Sequence, residues 1–570
     1  MTKVVETDVL VIGGGGAAAR AAIEAHQAGA KITIAVKGGF GSRGLRGTGS
    51  TGYARPDYLY FPTPAREVKP AEELEVVYKR IIQAGLGLAD RRLVKALVED
   101  GREVRETLEK WGVVHPVIEG TIIHHKGTAR RIDPMPGLAN IVRGIGEITV
   151  LSNTMVTDLL IQNGVCVGAV TIDEREGEPL LIKAGSTILS TGGDAQLYRV
   201  NFHPSCVTGD GYAMGYNAGA ELMNLEFMQI FPAIGYPTFN NLGWNIWTVN
   251  PRILNGNGEE FIQNYLPKRV TVEECMEQHG KHGPFSARDF GKYLEASITK
   301  EVKAGRGNEH DACYLDTNAL KRLPPKYQQW YSYRGVDLDK EYVELSVGYH
   351  CSNGGLRIDE NGQTTIPGLY AIGETATGAH GADRLGGGMQ AFCQVFGRRA
   401  GKHAAAAAKA KGLPTLDNRA AESQLKHIAE FKESKGDQKP AELRKRLQKT
   451  AWENLLAVRT KKGITQALKE IGQIRDELML RLSVVSTWEL TQALELENLL
   501  QVGELVANAA LMRTESRGGH YRDDCPERDD ANWTKVITVK KVNGKMQLSP
   551  VVIDEEWEDR PDDLGIEWWG

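Results

Sequence analysis

The sequence predicts an α/β fold with a Rossmann-like dinucleotide-binding core, and three observations carry that expectation. An apolar strand, Asp8-Val9-Leu10-Val11-Ile12, runs into the turn Gly13-x-Gly15-x-x-Ala18 and then into an alanine-rich helix ending near Gly29. Two later apolar runs, 184–191 and 366–372, also end in glycine, as Gly192-Gly193 and Gly373-Glu374. Glycine supplies 64 of the 570 residues, many of them in clusters, which is the pattern of backbone packed against a ligand.

Each part of the first turn has a physical role. Gly13 permits the tight turn, Gly15 lets backbone approach a pyrophosphate, and Ala18 lets helix pack on strand. Gly16 and Ala17 open the helix, whose first amides and dipole face the phosphates. The second strand, 32–37, ends in Val36-Lys37 where an acidic residue for the adenosine ribose is expected, so this motif leaves NAD and FAD open. The later strand ends, at Thr191-Gly192-Gly193 and at Gly373-Glu374, decide for FAD. Three contacts in this order resemble the two-dinucleotide flavoprotein plan, in which the last acidic residue, here Glu374, lies by the ribityl chain.

Composition divides the rest of the chain. Residues 150–230 and 345–410 repeat short β-branched runs ending in glycine, and 231–345 is a less regular insertion rich in Trp, Asn, Tyr and Pro. Residues 416–512 carry apolar side chains at helical spacing beside charged faces. A tail of alternating strands ends in acidic residues with Trp557, Trp568 and Trp569, read either as a docking surface or as packing on their own domain.

A net charge of −4 with 25% charged residues gives no electrostatic reason to expect nucleic acid or a lipid surface as partner. No run of 18 apolar residues occurs, so no membrane span is expected. The first residues lack the apolar core of a signal peptide, which points to a cytoplasmic protein, with a place at the periphery of a membrane complex as the second option. Seven dispersed cysteines without a C-x-x-C pair argue for reduced thiols and against a cluster or metal on this chain.

Longer stretches resemble the flavoprotein subunits of fumarate reductase, succinate dehydrogenase and L-aspartate oxidase. They include Leu197-Tyr198-Arg199-Val200-Asn201, Thr208-Gly209-Asp210-Gly211 and Gly378-Ala379-His380-Gly381-Ala382-Asp383-Arg384-Leu385. Thr514-Glu515-Ser516-Arg517-Gly518-Gly519-His520 and Arg528-Asp529-Asp530 extend the likeness over nearly the whole chain. It implies an FAD-binding domain at 1–230 and 346–410, an inserted α+β capping domain at 231–345, a helical domain at 411–520 and a C-terminal extension at 521–570. It also assigns Lys37, Gly38, Ser42, Arg43, Gly44, Asp210, Arg384 and Met389 to the cofactor.

The implied chemistry is hydride exchange between flavin N5 and a small carboxylate-bearing substrate. His350 falls on the family's carboxylate-binding histidine and Arg384 on its carboxylate-clamping arginine, a role suited to the guanidinium fork. The second carboxylate-binding histidine is replaced by Phe231. The place of the proton-delivery arginine falls near Trp247, with Arg252 the nearest cationic substitute. These aromatics suit a larger or less charged substrate than fumarate or succinate. Trp244 and Asn255, followed by Gly258-Glu259-Glu260-Phe261, also resemble the flavoprotein subunit of adenylylsulfate reductase. That enzyme's long C-terminal half is not found in this sequence, which keeps it an alternative.

His124-His125 and Arg130-Arg131 read as a solvated loop, and His520 and Arg522 as structural ties beneath the cap. Having no cluster ligands of its own, the chain is expected to exchange electrons with an iron–sulfur or ferredoxin-like protein subunit. The rivals are a non-catalytic electron-relay flavoprotein inside a larger complex and an oxidase that hands electrons to O₂.

Respiratory members of the family attach FAD through a histidine in the loop after the second strand, and residues 37–54 contain none. FAD is therefore predicted to be held non-covalently. Acid precipitation should release all the yellow colour into the supernatant; flavin retained by the pellet refutes this.

Overall fold

Seven strands form the central sheet in a computed structural model of the chain, which describes residues 2–41, 49–52, 70–113, 134–243 and 245–553. Their order is Ile148–Ser152, Ile32–Val36, Lys3–Ile12, Pro179–Leu189, Val165–Asp173 and Thr154–Gln162, and Leu369–Ala371 joins by pairing with Pro179–Leu189. The first four and Leu369–Ala371 pair in parallel. Val9, Leu10 and Val11 are fully buried, as a parallel strand covered on both faces requires. The helices Gly16–Gln27 and Gly388–Lys411 pack against each other beside this sheet, and small residues set how close they come. A Cβ on Gly401 would stand 2.5 Å from the Ala21 carbonyl oxygen, so the alanine and glycine content of both helices is a packing requirement.

The inserted segment builds an antiparallel sheet ordered Ile253–Leu254, Cys313–Asp316, Tyr342–Ser352, Met228–Ile234 and Asn240–Asn241. Both limits expected for the insertion, 231 and 345, fall inside strands, because Met228–Ile234 pairs with Tyr342–Ser352. A third sheet brings the C-terminal strands Val536–Val542 and Lys545–Val551 back to Leu222–Met223, Gly355–Arg357 and Ala376–Thr377 of the core.

The helices Pro440–Leu455, Lys461–Arg481 and Thr487–Met512 pack on one another. Thr487–Met512 begins where the Ser486 side chain accepts the Glu489 amide, a capping bond that satisfies one otherwise orphaned donor. Just beyond its end, Arg513 pairs with Glu226 at 2.8 Å and with Glu515 at 2.9 Å, and Glu515 pairs with Arg517 at 2.7 Å. All four side chains are fully buried, and removing one member of such a group costs about 3–5 kcal/mol by stranding the rest. This network locks the helical domain and the C-terminal segment onto the core. Arg522 is tied in beside it, donating to the Ala510 and Arg513 carbonyls at 3.0 and 3.1 Å, and His520 bonds Arg459.

Among the described residues no helix is long and apolar enough to cross a membrane. No described group of His, Cys, Asp and Glu could hold a metal ion, and the seven cysteines are free. Ser42, Arg43, Gly44, His124, His125, Arg130, Arg131, Trp244, Trp557, Trp568 and Trp569 lie outside the described residues.

Candidate functional site

The parallel strands present their carboxyl ends to one crevice, the place where open α/β sheets bind ligands. A cavity open to solvent occupies it, lined by the first turn, the later strand ends and the start of the Gly388–Lys411 helix. Gly13 has φ of +124°, and a Cβ there would come within 2.3 Å of the Ser190 carbonyl oxygen, so only glycine closes this turn. Gly13, Gly15, Gly16 and Ala17 line the cavity, whereas Ala18 is fully buried at the foot of the helix. Thr191, Gly192, Glu374 and Met389 line it from the later strand ends and the Gly388–Lys411 helix.

Lys37 also lines the cavity, at the position where an acidic residue is expected, and it brings one in from elsewhere. Its ammonium lies 2.7 Å from Asp210 and 2.9 Å from Glu495 of the Thr487–Met512 helix. The carboxylate suited to a ribose is thus Asp210, which also lines the cavity. Two residues expected at the cofactor do not line this cavity. The Gly38 amide donates to Glu174 at 2.7 Å and does not line the cavity, and Gly193 stands behind the wall, where a Cβ would meet Glu374 Oε1 at 2.6 Å. Sequence reasoning passed over Ser50, Thr51, Cys206, Gln390 and Cys393, which also line the cavity.

The site fits FAD. Helix-start amides suit the pyrophosphate, Asp210 the ribose hydroxyls, and Glu374 the polyol chain.

Glu374 connects this cradle to a second wall. It accepts the Ser352 amide at 2.9 Å, and Tyr349 Oη lies 3.1 Å from it and 2.7 Å from Asp194. Both residues belong to the strand Tyr342–Ser352, whose register against Met228–Ile234 shifts between Tyr349 and Cys351. His350 is the extra residue of that bulge, a device that re-aims a side chain. Burial, followed by the charges of Arg384, His203 and Arg334, pushes the His350 imidazole well below its usual pKa, so it is neutral at pH 7. Its Nδ1 is buried without a partner.

Arg384 is 5% exposed and is oriented from three sides. It bonds the Gln229 side-chain oxygen, Cys351 Sγ at 3.1 Å and the Leu385 carbonyl at 3.1 Å, leaving Nε without a partner. The structure thus brings His350 and Arg384 to one wall. Arg384 does not line the cofactor cavity but stands beside it, on the wall that carries His350.

Arg252 is not brought there. Its side chain is 58% exposed and pairs with Glu260 at 2.7 Å, because it precedes the edge strand Ile253–Leu254. Trp247 is buried, donates to the Gly243 carbonyl at 3.2 Å and packs against His279. A cation that does reach this wall from the cap, beside Arg334, is Arg288, which sequence reasoning missed. It bonds Ser286 Oγ at 3.0 Å and the Asp383 carboxylate beside Arg384. Its loop is docked by the Ala287 amide on the Gly518 carbonyl at 2.7 Å, a long-range bond with no sequence signal. His203 was missed too, and it links the walls by bonding Ser50 Oγ through Nδ1 and the His350 carbonyl through Nε2.

A family model described as FAD binding domain matches residues 8–389, and one described as fumarate reductase flavoprotein C-term matches 444–561. The chain belongs to the FAD-binding flavoprotein family of fumarate reductase and succinate dehydrogenase. A fumarate reductase (CoM/CoB) subunit from Methanothermobacter marburgensis is 32% identical, over 95% of this chain and 98% of that one. The structure of Mycobacterium smegmatis Sdh1 in complex with UQ1 superposes with a TM-score of 0.81 at 26% identity, covering 99% of this chain and 96% of that one. Adenylylsulfate reductase from Archaeoglobus fulgidus shares the fold at 22% identity, with a TM-score of 0.72 over 98% of each chain. The expectation that a long C-terminal half of such an enzyme has no counterpart here is thereby corrected. This FAD-dependent oxidoreductase carries the family's Rossmann-like sheet, capping sheet and helical domain over its whole described length.

Burial raises the Asp194 carboxyl from 3.8 to about 6, with the Tyr349 hydroxyl opposing the rise and Glu374 adding to it. The folded protein therefore keeps a proton that the unfolded chain has lost. This contribution to stability is full below pH 3.8 and is lost as pH rises through about 6. Asp194→Asn keeps an acceptor for Tyr349 and removes the titration. In urea unfolding from pH 4 to 7, the variant should gain up to about 3 kcal/mol relative to wild type as pH rises. Parallel stability profiles for the two proteins contradict the assignment.

Proposed function

We propose that this chain is the flavoprotein subunit of an oxidoreductase acting on a small carboxylate-bearing substrate, with FAD held without a covalent bond. The observation that carries the reading is Arg384, a buried guanidinium aimed by Gln229 and Cys351, with Nε unpartnered and His350 on the same wall. FAD, when bound, supplies or accepts the hydride. Arg384 clamps the carboxylate, neutral His350 donates a hydrogen bond to it, and the capping sheet excludes water. Arg252, solvent-facing, takes no part in this reading.

Electrons pass between FAD and an iron–sulfur or ferredoxin-like partner protein. Support for a partner comes from the Methanothermobacter relative, which is itself one subunit of a fumarate reductase and matches this chain almost end to end.

Arg384→Ala should leave FAD content normal and weaken carboxylate binding by about 2–4 kcal/mol, because it removes a charge-assisted pair in a desolvated site. Arg384→Lys should recover little, since a point charge cannot reproduce the fork. The check is flavin absorbance for FAD content and a carboxylate titration followed by the flavin spectrum. Loss of FAD with unchanged carboxylate affinity in the remaining holoprotein would mean that Arg384 only supports the cofactor loop.

A further inference from the structure

We infer that the substrate wall selects a monocarboxylate with an apolar arm, and that Phe231 and Phe202 are the residues that select it. The inference rests on the carboxylate-clamp reading above and names the substrate class of that same site. Gln229 and Phe231 are two residues apart on the strand Met228–Ile234 and therefore share a face. Gln229 holds Arg384, while Phe231 stands edge-on to His350, ring centroids 5.1 Å apart at 87°. One strand thus carries the anchor of the cation and, one step along, an aromatic ring.

Phe202 completes the apolar side, its ring centroid 6.1 Å from that of His350. The space it uses exists because position 348 has no side chain. A Cβ on Gly348, which is paired with Phe231 in the sheet register, would come within 2.7 Å of Phe202 Cζ. Gly348 and Phe202 are therefore fitted to each other, and Phe202 and Phe231 both face the His350 ring.

Charge counting agrees. His350 is neutral, and the Arg288 guanidinium is matched by the Asp383 carboxylate. Arg334, the other cation acting on His350, lies over the Trp330 ring at 3.6 Å and donates to the Asn241 carbonyl. Among the described residues, Arg384 is the cation that the Gln229 side chain aims at this wall, and it suits one carboxylate. A second carboxylate at the far end of the substrate would press on Phe231 and Phe202 without a donor, and burying an unpaired charge there is costly. An alkyl or aryl group gains by the same burial.

The fitting substrates are 2-enoates with a carbon substituent at C3, or their saturated counterparts. In the reducing direction the carbon–carbon double bond gains a hydride at C3 and a proton at C2, which leaves a saturated acid and oxidised flavin. The saturated acid loses the same hydride and proton in reverse.

The test uses FAD-loaded protein. Oxidised holoprotein is titrated by calorimetry with 3-phenylpropanoate and with succinate. Dithionite-reduced holoprotein is mixed anaerobically with cinnamate and with fumarate, and flavin reoxidation is followed. We expect the aryl acid to be favoured by at least about tenfold in both assays, the scale of apolar-pocket discrimination. Phe231→His should erase most of that preference at unchanged FAD content, and Phe202→Ala should weaken aryl binding at unchanged FAD content. A wild-type preference for succinate and fumarate overturns the inference and leaves the carboxylate-clamp reading standing. So does an aryl preference that neither substitution moves in FAD-replete protein. If none of the four acids binds or reoxidises the flavin, both the inference and the reading under it fall.

Discussion

The buried carboxylate of Glu374 is the joint on which the functional half of this molecule depends. It closes the strand end Leu369–Ala371 at the cofactor cradle, and it accepts the amide of Ser352 from the strand that carries His350 and Cys351. The single Tyr212 hydroxyl proton is shared between the Glu374 backbone carbonyl, 2.6 Å away, and that of Gly354, 2.9 Å away, which ties the same two segments a second time. Gly193 has to be glycine-sized because that carboxylate fills the space beside it. Through one residue the lining of the cofactor cavity and the wall that carries His350 and Arg384 are held in a single geometry. Hydride transfer needs that arrangement, since its rate depends on the placement of two reacting atoms.

Much of the cofactor half is legible in the sequence because its requirements are local. Gly13 follows a strand and precedes a helix, and both its left-handed conformation and its contact with Ser190 follow from that position. Lys37 is the instructive exception. Read locally, the missing acid at the end of the second strand leaves the cofactor undecided. In three dimensions the lysine binds Asp210 and Glu495, both far along the chain, and the carboxylate arrives by that route. No periodicity or spacing near position 37 encodes it.

The substrate half is less legible for the same reason. Arg252 is close in sequence to the place expected for the family's arginine, yet it precedes an edge strand and faces solvent. Arg288 reaches Asp383 from another part of the cap, carried by a loop whose docking bond lies on Gly518. His350 is identified by resemblance, but the bulge that aims it is a property of pairing with Met228–Ile234. The exchange of a histidine for Phe231 is visible in the sequence. Its consequence becomes visible only with Gly348 and Phe202 beside it.

In the proposed reading the substrate is clamped at one end and met by apolar rings at the other, with Arg384 held by Gln229 and Phe231 carried on the same strand. The crystal structure of the FAD-loaded protein with 3-phenylpropanoate tests this most directly. The account predicts the carboxylate within hydrogen-bonding distance of Arg384 and His350 Nδ1, and the phenyl ring against Phe231 and Phe202. A carboxylate bound away from Arg384, with the ring outside the Phe231–Phe202 surface, would contradict it.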